Sequence, residues 1–244
     1  MKAYTITDVG KVRNENQDCV RFIESSKPSY AVLALCDGMG GAKAGSLASD
    51  IALTSFTKQV TELLSDKKSK VSITEMVIDA VSQTNECVYE RGSTDKECEG
   101  MGTTLVAAIV KGKECCIVNV GDSRAYLISG GEIDQITRDH SFVEEMVGKG
   151  KITREQARNH PKKNIITRAL GAEKMVVCDT FSPELKRNDL LLLCSDGLSN
   201  TLSDEEILVI VKSKNNLEDI GKELLDMALS RGAPDNVTVG LLRK

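Results

Sequence analysis

Strands and helices come in blocks along this chain, and that order constrains the fold more than any other feature. Apolar patterning predicts strands at Tyr4–Val9, Cys19–Ile23 and Ala31–Cys36, the third an unbroken apolar run suited to a buried position. A helix is predicted from Ala42 to Leu64, where Ala44, Leu47, Ala48, Ile51, Ala52, Phe56, Val60 and Leu63 recur at helical spacing. After a polar stretch, Ser65–Lys70, Ser72 and Glu75 form a capping box for a second helix. Four strands are then expected as a meander: Thr104–Val110, Cys115–Val120, Ala125–Ile128 and Ile133–Thr137. Gly112-Lys113 and Gly130-Gly131 mark hairpin turns within it. Residues 138–171 are polar and irregular, with short helical signals at Ser141 and Thr153. Strands resume at Met175–Phe181 and Leu190–Cys194. Two helices follow, one capped by Ser203 with Glu206 and one carrying Leu217, Ile220, Leu224 and Ala228, before a closing strand, Asn236–Leu242. This is no βαβ alternation, so a doubly wound parallel sheet is disfavoured. Blocks of strands between helix pairs predict an α+β fold with layered antiparallel sheets and helices outside. With no internal repeat or linker, a single domain spans 1–244.

Composition removes several functions. Lys and Arg number 32 against 36 Asp and Glu, a net charge of −4, so neither nucleic acid nor an anionic membrane would be drawn by the overall field. With no Trp, four Tyr and four Phe, a base-stacking platform is not expected. No apolar run approaches the ~20 residues that span a bilayer, and Met1-Lys2-Ala3-Tyr4 opens no signal peptide. A cytoplasmic protein is expected. Eight Cys without a CxxC pair fit a reduced compartment, and two His, His140 and His160, exclude a His-rich zinc site. Asp139-His140-Ser141 holds the residue types of a nucleophilic triad, but three successive residues cannot relay a proton. Ser141 with Glu144 reads instead as a helix cap.

Glycine concentrates in Asp37-Gly38-Met39-Gly40-Gly41, followed by Gly45. Gly40 and Gly45 have P-loop spacing, yet Ser46 stands where the phosphate-binding Lys is needed. The dinucleotide GxGxxG fails at Lys43. The informative residue is Asp37, where an apolar strand runs out into glycines that let backbone carbonyls approach a ligand. A single Asp there is more often a turn former. The device repeats, however: Asp122 in Val120-Gly121-Asp122-Ser123, Asp196 in Cys194-Ser195-Asp196-Gly197, and Asp235 just before the last strand. Arg13 and Asp18 belong to a further polar cluster near the N-terminus. Carboxylates gathered at strand ends with almost no His are a hard-ligand set, suited to Mg²⁺ or Mn²⁺.

Six segments together resemble the PPM-class metal-dependent Ser/Thr protein phosphatases (protein phosphatase type 2C), especially the bacterial branch. They are Gly10-Lys11-Val12-Arg13-Asn14-Glu15-Asn16-Gln17-Asp18, Cys36-Asp37-Gly38-Met39-Gly40-Gly41, Gly100-Met101-Gly102-Thr103-Thr104, Asn119-Val120-Gly121-Asp122-Ser123-Arg124, Ser195-Asp196-Gly197-Leu198 and Pro234-Asp235-Asn236-Val237-Thr238. The resemblance implies a four-layer αββα sandwich, two antiparallel sheets flanked by helix pairs, with a binuclear metal site at one end. By that likeness Asp37 bridges two Mn²⁺ or Mg²⁺ ions, the Gly38 carbonyl and Asp18 hold one, and Asp196 and Asp235 hold the other. Asp122 with Asp196 would hold a third, weaker ion, and Arg13 would bind the substrate phosphate through its planar fork. Residues 142–166 would form a flap, with His160 its one imidazole near the site. Animal members carry a His where Met39 stands, assigned there as general acid; Met cannot donate a proton, so that role falls to metal-bound water or another group.

The expected reaction is hydrolysis of phospho-Ser and phospho-Thr by direct attack of a bridging metal-bound hydroxide. Expected partners are phosphoproteins, a Ser/Thr protein kinase among them, with the phosphatase a monomer. One competitor is a non-catalytic pseudophosphatase that binds phosphoproteins; its mark would be a lost metal carboxylate, and every matching position keeps its own. The other is a metal-dependent phosphodiesterase or nuclease, which the acidic charge disfavours.

Overall fold

The structure is a computed structural model describing residues 1–66 and 71–244, so residues 67–70 of the expected Ser65–Lys70 stretch lie outside those described. Its strands are β1 (Lys2–Asp8), β2 (Asp18–Ser26), β3 (Ser29–Met39), β4 (Gly102–Thr103), β5 (Leu105–Lys111), β6 (Glu114–Val120), β7 (Arg124–Ser129), β8 (Glu132–Gln135), β9 (Asp179–Phe181), β10 (Leu190–Cys194) and β11 (Val237–Arg243). Its helices are α1 (Ala42–Ser65), α2 (Ile73–Thr94), α3 (Phe142–Gly148), α4 (Arg154–Arg158), α5 (Asp196–Ser199), α6 (Asp204–Ser213) and α7 (Leu217–Ser230). One antiparallel sheet runs β1-β11-β10-β7-β8 and the other β2-β3-β5-β6-β9, with β4 paired to the end of β3.

The apolar runs are continuous because the central strands are covered on both faces. In β3, Tyr30, Val32, Ala34 and Cys36 pack with α1 and α2, while Ala31, Leu33 and Leu35 point at the opposite sheet. In β10, Leu190, Leu192 and Cys194 pack with α6 and α7, and Leu191 and Leu193 meet the first sheet. Three apolar layers thus separate helix pair, sheet, sheet and helix pair, the predicted αββα order. Helix starts follow the predicted caps: Ser72 and Ser203 each close a full capping box, each such cap contributing ~1 kcal/mol. Ser141 caps α3 through the Glu144 N–H, but the reciprocal bond is absent because the Glu144 carboxylate pairs with Arg138 and Arg154.

Two expectations need correction. The predicted meander breaks in the middle: β5–β6 and β7–β8 are hairpins, but β6 and β7 lie in different sheets. Gly121, at φ 110, turns the chain from one sheet to the other, and a Cβ there would lie 2.5 Å from the Thr104 methyl. The strand expected at Met175–Phe181 is only Asp179–Phe181, because Asp179 already pairs with Asn119 and β6 ends at Val120. Met175 and Val177 are left exposed.

Leu33 is fully buried between the sheets, whereas Val209 on α6 is 66% exposed. Leu33→Ala is expected to cost about 3 kcal/mol, lowering the Tm of metal-free protein by roughly 6–12 °C. Val209→Ala should stay within about 0.5 kcal/mol. Calorimetric melting of both checks this, and equal losses would contradict the inter-sheet core.

Candidate metal centre and active site

The strand-end carboxylates converge at one end of the sandwich because strands from both sheets terminate there. Asp18 opens β2 directly opposite Asp37 on β3. Asp196 begins α5 just beyond β10, and Asp235 lies just before β11. Asp122 sits in the turn between β6 and β7. A cleft of about 460 Å³ is lined by Asp37, Asp122, Asp196 and Asp235 together with Arg13 and Met39. A neighbouring cleft of about 570 Å³ shares Asp122 and Asp196 as its wall and continues towards Arg158 and Lys163.

Residues distant in sequence hold Asp18 and Asp37. Asp18 Oδ2 accepts from Ser195 Oγ and Thr238 Oγ1, both at 2.7 Å. The Asp37 N–H donates to Thr104 Oγ1 at 3.0 Å, and its carbonyl accepts from Thr103 Oγ1 at 2.9 Å and from the Thr104 N–H at 2.8 Å. Buried Asn236 accepts from the Gln17 N–H and donates to the carbonyls of Val9 and Glu15, fixing the segment that carries Arg13. Arg13 Nη2 donates to Asp235 Oδ2 at 2.8 Å, with its guanidinium half-exposed to the cleft. Gly38 is required for packing more than for ligand approach: a Cβ would lie 2.0 Å from the Gly45 carbonyl oxygen, so its absence lets the first turn of α1 lie on the end of β3.

The electrostatics of this cluster are unfavourable without cations. Burial, reinforced by the facing carboxylates, pushes Asp37 and Asp196 well above the usual carboxylate range. Burial raises Asp18 to about 6, against the opposing effect of its two hydroxyl donors. Asp122 is raised to about 7, again chiefly by burial, with the Asp139 charge adding to it. Asp18 Oδ1 is buried and has no hydrogen-bond partner among the described residues. Among those residues no three His, Cys, Asp or Glu side chains close into a ready-made metal cage. The carboxylates instead face each other across an open cleft, a donor set that fits hard divalent ions retaining part of their water shell. Asp18, Asp37, Asp196 and Asp235, with the Gly38 carbonyl, could hold such ions.

His160 is not brought to this centre. It packs against Phe142, with ring centroids 6.1 Å apart, and its Nδ1 accepts from the Lys162 N–H. The residues that sequence reasoning left without a role are Ser195, Thr238, Thr103, Thr104 and Asn236. Their signal was polar side chains in or beside apolar strands, which alone does not say what they hold.

The sequence matches the protein phosphatase 2C family over residues 11–236. It is 38% identical to the serine/threonine phosphatase stp of Listeria welshimeri over 247 residues, covering 100% of this chain and 96% of the relative. The fold superposes on the serine/threonine phosphatase Stp1 of Staphylococcus aureus with a TM-score of 0.91 at 37% identity, covering 100% of this chain and 95% of that one. It also matches the catalytic domain of the serine/threonine protein phosphatase PstP, solved in complex with two manganese ions. There the TM-score is 0.85 at 34% identity, with 98% of this chain and 96% of that chain covered.

Carboxyls whose folded pKa is raised bind more protons in the native than in the unfolded state, so they lose native stability as pH rises from the ordinary 3.8 through about 6 and 7. In EDTA, the Tm contribution of this centre should therefore fall between pH 4 and pH 7.5. Mn²⁺ should raise Tm more at pH 7.5 than at pH 5. Melting curves at the two pH values, with and without Mn²⁺, test this; a larger Mn²⁺ effect at pH 5 would contradict a carboxylate centre.

Proposed function

This chain belongs to the protein phosphatase 2C family, and on that premise we propose that it is a metal-dependent protein serine/threonine phosphatase that hydrolyses phospho-Ser and phospho-Thr by direct attack of water. The observation that carries the reading is the gathering of four aspartates beside Arg13 in one cleft. Asp37, with Asp18 and the Gly38 carbonyl on one side and Asp196 and Asp235 on the other, would hold two Mn²⁺ or Mg²⁺ ions. Asp122, with Asp196, would hold a third, weaker one. Bound there, such ions supply Lewis acidity that acidifies water and neutralises phosphoryl charge.

The chain's own groups do the rest. Arg13 offers a planar guanidinium to two phosphate oxygens, and its bond to Asp235 aims it into the cleft beforehand. Thr104 Oγ1 is engaged by Asp37 and Ser123, so it is bound up in holding the floor. That engagement favours water over a side-chain nucleophile. Met39 lines the cleft but has no ionisable proton, so protonation of the leaving Ser or Thr oxygen falls to water or to another group. The proposed unit is a single PPM-type domain over 1–244, with 142–166 as its flap. The chain leaves this excursion's base at Ser141 and returns at Ile166, where the two residues form a bridge and the Phe142 N–H donates to the Ile165 carbonyl. Phosphoproteins and a partner Ser/Thr kinase in the cytoplasm, met by a monomeric phosphatase, complete the proposal. Among the described residues no helix is long and apolar enough to cross a membrane.

Asp37→Asn removes a carboxylate charge that both core ions would share. It should leave the fold intact and lower kcat by at least roughly 10²-fold, ~2.7 kcal/mol. Hydrolysis of a phosphopeptide and of p-nitrophenyl phosphate, with Mn²⁺, Mg²⁺ or EDTA, is the decisive measurement. Turnover in excess chelator, or near-normal kcat of Asp37→Asn at saturating Mn²⁺, would overturn the assignment. Binding of phosphopeptide without turnover would mark a pseudophosphatase instead.

A further inference from the structure

Resting on the placement of Asp122 at the outer ion, we propose that His140 is a positioning residue that locks the Gly121–Asp122 turn to the base of the flap and thereby sets how tightly that outer cation is held. The ladder of β6 ends at Val120, so the turn is not held by sheet pairing. His140 replaces it from 19 residues away: its Nδ1 accepts from the Gly121 N–H at 3.0 Å, and its own N–H donates to the Gly121 carbonyl at 2.9 Å. Both main-chain groups of a residue at φ 110 thus meet His140; the carbonyl also accepts from Asn119 Nδ2 at 3.1 Å, whereas the N–H has His140 as its acceptor. On its other side the His140 carbonyl accepts from the Thr167 N–H at 2.8 Å, which ties the turn to the returning limb of the 142–166 excursion.

The imidazole is itself fixed. With Nδ1 accepting, the ring proton is assigned to Nε2, which faces Asp179 Oδ2 at 3.1 Å. Arg168 Nη1 lies 2.9 Å from the same nitrogen and donates to Asp179 Oδ1 at 2.9 Å, so it holds the acceptor of the ring proton in place. His140 is only 6% exposed and lines neither cleft, so it acts through Gly121 and not on substrate. Removing the imidazole would leave the buried Gly121 N–H without its acceptor and free the peptide that carries Asp122.

The test compares wild type, Asp122→Ala, His140→Ala and His140→Asn, whose Oδ1 can occupy the place of Nδ1. Hydrogen exchange at the Gly121 amide in metal-free protein reads the clamp. Protection should fall in His140→Ala and return in His140→Asn. Calorimetric titration with Mn²⁺ reads its consequence. Asp122→Ala should remove the weaker binding event, while His140→Ala should weaken it by about tenfold or more, the scale of an outer-shell partner. Tight-site stoichiometry should be kept and His140→Asn should restore most of the loss. Unchanged Gly121 protection or an unchanged weak event in His140→Ala would overturn the proposal. So would loss of the weak event in a folded His140→Asn, which carries the test if His140→Ala does not fold. Persistence of the weak event in Asp122→Ala would instead defeat the placement of Asp122, while the Gly121 exchange still decides the role of His140.

Discussion

The buried carboxylate of Asp18 joins the two sheets at the end where the site lies. It belongs to β2 in one sheet, and its Oδ2 takes hydroxyl donors from Ser195, just past β10, and Thr238 in β11, both in the other. Ser195 is shared further, since its Oγ also accepts from the Thr238 N–H. Apolar packing between sheets is non-directional and would tolerate sliding. Short hydrogen bonds to a buried carboxylate do not, because a displaced acceptor loses its compensation for desolvation. The other oxygen of the same residue is buried without a hydrogen-bond partner among the described residues, beside Asp37 on the neighbouring strand, so the side chain that fixes the sheets in register also carries an uncompensated acceptor at the site.

The site is therefore assembled at a cost to the metal-free fold. Four aspartates line one cleft and a fifth, Asp18, pairs with Asp37 on the adjacent strand, and burial drives several of them towards the protonated form. The surrounding structure sustains this because three apolar layers lie behind it, and because hydroxyl groups hold the Asp18 carboxylate and the Asp37 backbone. Conflict between local charge and global packing is what a functional site looks like in an otherwise consistent sequence.

Much of this was legible in the residues themselves. Continuous apolar runs at 31–36 and 190–194 announced strands covered on both faces, and Ser-x-x-Glu patterns placed α2 and α6 at their first residues. Strand-end aspartates pointed to hard cations before any fold was known. What stayed hidden depends on tertiary neighbours. The change of sheet at Gly121 is invisible to periodicity, since β6 and β7 look like members of one meander. The shortness of β9 is set by where β6 ends, not by Met175–Cys178, whose apolar character signals a strand. The weight carried by Asn236 and His140 comes from partners 19 to 227 residues away in sequence, which no local pattern records. His160, in contrast, stands in a promising segment, but its imidazole meets the Phe142 ring and the Lys162 N–H.

The bridge between Ser141 and Ile166 gives the excursion between them an independent life. Its two limbs are stapled at the base, so the closing of that loop is settled locally, and a doubling of its length would add only about 0.6 kcal/mol of closure entropy. No strand of either sheet draws a residue from it. The excursion is a cassette: none of its residues enters the register of the strands that carry the aspartates. Its residues, among them Glu144, Arg154 and Asn164, line the mouth of the clefts whose floor the aspartates form.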